Sequence, residues 1–102
     1  MAVSKLSKTV KNTSGTCTSS YGSIEYTRYG DVVMLKIIVT NVAGGTSDWT
    51  TICTDAPKIR SAGVFDGVNS AGNTRVSIYI TGTTVRIYGA ASVSTQIVYL
   101  AD

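Results

Sequence analysis

Three observations predict an all-β protein, an antiparallel β-sandwich or jelly-roll-like barrel. The first is composition: ten glycines, one proline and only 15% charged residues, in a chain rich in Ser, Thr and Val. Strands favour such β-branched residues, whereas helices would draw on more Ala, Leu, Glu and Lys. The second is period: from Thr16 onward apolar residues recur every second position, the spacing that places them on one face of a strand. The third is punctuation, since Gly, Asn and Asp clusters interrupt the chain about every eight to twelve residues with no helical segment between them. At 102 residues the chain is long enough for one domain with a modest core.

The elements follow in order. Residues 1–15 place Val3, Leu6 and Val10 at three- and four-residue spacings, which fits a short amphipathic helix or an extended linker; the Ser and Thr content suits the linker, and the domain proper is set at 16–102. Ser23–Tyr29 reads as a strand with Ile24 and Tyr26 inward, and Gly30-Asp31 turns the chain into the strand 32–40. That strand is apolar on both faces. Val33, Leu35, Ile37 and Val39 line one side, while Val32, Met34 and Ile38 line the other, interrupted only by Lys36. One side fills a core; the other requires a cover, and a second copy of the chain is the expected one.

A glycine-rich loop, 41–48, precedes a short strand 49–53, which Pro57 ends. Ile59–Asp66 is expected to be the next strand, with Asp66-Gly67-Val68-Asn69 opening a loop that runs to Asn73. Arg75–Ile80 and Val85–Tyr88 form a hairpin around Gly82, and Val93–Leu100 is the last strand.

The chemistry expected is recognition rather than catalysis. The chain has no histidine, which removes the commonest general base and a common metal ligand. Most of its six carboxylates, Glu25, Asp31, Asp48, Asp55, Asp66 and Asp102, fall in expected turns, where Asp serves local hydrogen bonding. No phosphate-binding, dinucleotide or calcium-loop pattern occurs, and no cofactor is expected. Cys17 and Cys53 fit no metal-knuckle or redox spacing; free thiols are expected, with pairing left open for an oxidising setting.

The net charge of +3 is scattered, apart from Lys5, Lys8 and Lys11, so a nucleic-acid partner is not expected. Nothing has the apolar length of a signal peptide or membrane span, so synthesis in a cytosol without membrane insertion is expected. Tyr79 and Tyr88 point outward if Ile78, Ile80 and Ile87 point inward. With Asp48, Trp49, Arg75 and Arg86 they form the candidate ligand-binding set, because aromatic faces stack on sugar rings and guanidinium groups bond hydroxyls. For Trp49 a plug at one end of the barrel is the first reading and a ligand platform the second.

The order of residues, Ser23-Ile24-Glu25-Tyr26, Tyr29-Gly30-Asp31-Val32-Val33-Met34-Leu35, Trp49-Thr50-Thr51-Ile52, a proline, Val76-Ser77-Ile78-Tyr79 and Gly82-Thr83-Thr84-Val85-Arg86-Ile87, resembles the C-terminal receptor-binding head domains of phage tail fibre and baseplate proteins over residues 20–100. The resemblance implies a homotrimeric β head that binds a bacterial cell-surface saccharide or protein without chemistry of its own, carried on the virion, with residues 1–15 as a stub of the shaft. It carries over no pocket residue. A structural trimerisation or decoration module without a ligand is the alternative.

Overall fold

The computed structural model describes residues 12–44 and 46–102. They form eight strands: β1 (Asn12–Cys17), β2 (Gly22–Tyr29), β3 (Val32–Val39), β4 (Thr50–Cys53), β5 (Gly63–Val68), β6 (Arg75–Thr81), β7 (Thr84–Tyr88) and β8 (Val93–Leu100). They build two four-stranded antiparallel sheets, ordered β1-β2-β3-β8 and β4-β7-β6-β5. The architecture is all-β and sandwich-like, with one core between the sheets. Within the second sheet β5, β6 and β7 are successive hairpins and β4 lies beside β7, the order of a Greek key.

Patterning explains the packing. Val33, Leu35, Ile37 and Val39 of β3 are fully buried, as are Val76, Ile78, Ile80, Val85 and Ile87 of the facing sheet. Their neighbours in β3 alternate outward, so Val32, Met34 and Ile38 stand on the outer face. Two tight hairpins set the registers: Gly30 between β2 and β3 and Gly82 between β6 and β7 adopt φ of 57° and 56°, a conformation that costs glycine nothing. One long side of the sandwich is stitched by bridges between Asn69 and Val93 and between Ile59 and Ala101.

Two sequence expectations are corrected. The strand expected over Ile59–Asp66 lies at Gly63–Val68, so Asp66, Gly67 and Val68 belong to a strand and not to a turn. Gly67 is there for space: a Cβ at this position would meet Ile78 Cδ1 and Thr95 Cγ2 at 2.8 Å. The linker boundary also moves, because Asn12–Gly15 pair with β2 as part of β1. Residues 1–11, where the linker or helix was expected, with Lys5, Lys8 and Lys11, lie outside the described residues.

Candidate functional site

The outer face of the β4-β7-β6-β5 sheet carries the aromatic residues singled out in the sequence. Register places Tyr79 of β6 opposite Arg86 of β7, and Ser77 opposite Tyr88. Because β4 begins at Thr50, opposite Ile87, the preceding Trp49 reaches the edge of the same face beside Tyr88. The three rings form one cluster: Trp49 lies 5.5 Å from Tyr88 and 5.9 Å from Tyr79, centroid to centroid, tilted or edge-on. Trp49 is 44% exposed, so it stands at the surface and does not plug the end of the core.

Arg86 sits opposite Tyr79 and two residues before Tyr88, on their face of the sheet. Among the described residues Arg75, Arg86 and Lys36 have no carboxylate within 4.0 Å, while Arg60 pairs with Asp31 at 2.8 Å and Lys58 with Asp102 at 3.3 Å. The two arginines on the aromatic face are therefore open to a ligand. Arg75 stands apart from the rings, in a groove of about 460 Å³ that it shares with Asp66, Asn73 and Thr95. Asp48 is exposed just before Trp49; its backbone N–H donates to Gly44 O at 2.8 Å, and its carbonyl accepts from the Thr50 hydroxyl. Trp49 and Tyr88 are exposed and Tyr79 is half-buried. That suits stacking on a planar or ring-shaped partner more than enclosure of a small molecule.

Opposite, on the outer face of the β1-β2-β3-β8 sheet, Val32 faces Tyr29 on one side and Leu100 on the other, and Met34 faces Thr27 and Val98. Tyr29, Val32, Met34, Val98 and Leu100 make a continuous apolar patch in which every member is at least 43% exposed. Ile38 is on this face but not in the patch. The Glu25–Lys36–Gln96 row separates it from Met34, and its own cross-strand neighbours are Ser23 and Ser94. Sequence reasoning missed Tyr29, Val98 and Leu100. The signal was present in Ile97-Val98-Tyr99-Leu100, a second run apolar on both faces, whose Ile97 and Tyr99 are buried.

A third cluster joins the sheets at their other long side. Cys17 of β1 and Cys53 of β4 are buried free thiols, and Asp55 lies beside them. Burial first, then the nearby Cys53 and Asp55, push the Cys17 thiol up to about 12. Burial also raises Cys53. Such thiols are protonated and inert as nucleophiles. Tyr99 is raised too, chiefly by burial, and its hydroxyl donates to Pro57 O at 2.8 Å.

Comparison with protein-family models, with curated proteins and with solved structures returns no match.

Proposed function

We propose that the chain is the receptor-binding head domain of a phage-type tail or baseplate protein, adhering as a homotrimer to a bacterial surface receptor, a saccharide before a protein. The observation that carries this reading is the exposed cluster of Trp49, Tyr79 and Tyr88 with Arg86 on a rigid sheet. The exposed rings give a saccharide apolar surface to pack on, and an unpaired guanidinium supplies donors for its hydroxyls.

The two outer faces divide the work. Copies meet through Val32, Met34, Val98 and Leu100 on one sheet, and the opposite sheet then points away from the assembly axis with its rings outward. Each site is shallow and weak, and several on one particle gain avidity without further contacts. The setting on a virion, and adhesion without catalysis, rest on the sequence resemblance. The jelly-roll-like part of that likeness has the single Greek key β4–β7 in its support.

Binding to whole bacteria and to a panel of bacterial surface glycans tests the proposal. The native protein should bind at least one, and Trp49→Ala and Tyr79→Ala should each lose that binding while the oligomer persists. The second reading, a trimerisation or decoration module without a ligand, is favoured by the apolar patch alone. It predicts the oligomer with no binding to any cell or glycan.

A further inference from the structure

We propose that Cys17, Cys53 and Asp55 form a site for a thiophilic divalent cation, Zn²⁺ being the biological representative, which clips the two sheets together along the side where β1 and β4 meet. One sulfur from each cysteine and a carboxylate oxygen of Asp55 all lie within 4.8 Å of one another. Tetrahedral zinc, with Zn–S of about 2.3 Å and Zn–O of about 2.0–2.2 Å, holds its donors roughly 3.5–3.8 Å apart. A side-chain rotation of about 1 Å therefore brings the three donors to ligand spacing.

One of the three donors is already held in place. The Thr18 N–H donates to Asp55 Oδ1 at 2.8 Å and Oδ2 at 3.1 Å, which fixes the carboxylate toward the thiols in the way supporting hydrogen bonds orient metal ligands.

Two buried thiols and an exposed carboxylate converge at one point. On binding a divalent cation two S–H bonds break, two metal–sulfur bonds form, and two protons leave to solvent with no change of oxidation state. Asp55 is exposed, so the ion enters from its side and solvent completes the coordination.

The location gives the site a role. β1 and β4 are the terminal strands of their sheets, and the opposite long side is already stitched by the Asn69–Val93 and Ile59–Ala101 bridges. A metal at Cys17, Cys53 and Asp55 would close the remaining side, joining residues that no short sequence motif connects.

The test is titration of the reduced protein with Cd²⁺, followed by ultraviolet sulfur-to-cadmium charge transfer and by proton release. Saturation at one equivalent, with two protons released and Zn²⁺ competing for the site, is the expected result. Asp55→Asn, a change at an exposed position, should weaken affinity about tenfold or more while the band persists. Cys17→Ser should abolish the band. In the native chain, one equivalent of Zn²⁺ should protect both thiols from iodoacetamide in mild denaturant, a readout that needs no variant to fold. Absence of a band at stoichiometric Cd²⁺, unchanged affinity in Asp55→Asn, or equal alkylation with and without Zn²⁺ would overturn the proposal.

Discussion

Val98→Lys separates a surface that copies share from a surface that merely faces water. Val98 is 53% exposed, and its patch partners Val32, Met34 and Leu100 are 43%, 43% and 50% exposed. Full burial of such a side chain contributes about 1.5–3 kcal/mol, so covering the remaining half adds about 1 kcal/mol each and about 4 kcal/mol per copy for the four. A lysine within that contact forfeits its share and sets an ammonium against apolar surface, which costs more than the lost methyl groups unless the stem carries the charge to the rim. A total near 2 kcal/mol, the minimum expected, raises the dissociation constant about 30-fold.

In the isolated subunit the same change is on the surface and should alter stability by no more than about 0.5 kcal/mol. Multi-angle light scattering at micromolar concentration, beside thermal unfolding of each species, distinguishes the two effects. The native chain should be a trimer and Val98→Lys a monomer of nearly unchanged fold. Ile38→Lys, outside the patch, should dissociate far less. A native chain that is monomeric throughout, or a Val98→Lys chain that remains assembled, refutes the assignment of this face.

Other outcomes follow from the packing. Gly67→Val places a side chain where Ile78 and Thr95 already approach to 2.8 Å, and denaturant unfolding should show a loss of about 1–3 kcal/mol. Leu35→Ala empties a fully buried site in the middle of β3 and should cost about 2–5 kcal/mol in the same assay. Stability should also fall with alkaline pH. The Cys17 thiol ionises near 9 when unfolded and only at about 12 when folded, so between these values the unfolded state holds fewer protons and is favoured as pH rises. The raised Tyr99 hydroxyl adds to the same slope above about pH 10. Unfolding midpoints measured from pH 8 to 11 should decline in the native chain and decline less in Cys17→Ala.

The core was legible because period two is a strong signal where one face is apolar. Val33, Leu35, Ile37 and Val39, like Ile78 and Ile80, stand where alternation put them. β1 was not legible as a strand, because Asn-Thr-Ser-Gly-Thr-Cys buries only Cys17 and leaves its other side chains mostly in water. Its pairing comes from β2, which no property of β1 itself announces. Gly67 was misread for the opposite reason. Asp-Gly next to Asn is turn chemistry in sequence, yet here the missing side chain serves the close approach of β5 to β6 and β8.

The aromatic cluster was half legible. Outward placement of Tyr79 and Tyr88 followed from alternation, but the arrival of Trp49 beside them depends on β4 pairing with β7, a long-range register. The Cys17–Cys53–Asp55 cluster was invisible for the same cause: its two cysteines come from strands in different sheets.

The only tryptophan of the chain lies in the proposed platform, which makes its fluorescence a direct reporter of that surface. Titration with solubilised bacterial surface saccharides should give a saturable change in Trp49 emission for at least one of them, lost in the Tyr79→Ala, Tyr88→Ala double variant. No saturable change with any saccharide from a strain that the protein binds, together with undiminished cell binding by Trp49→Ala, would contradict recognition through this face.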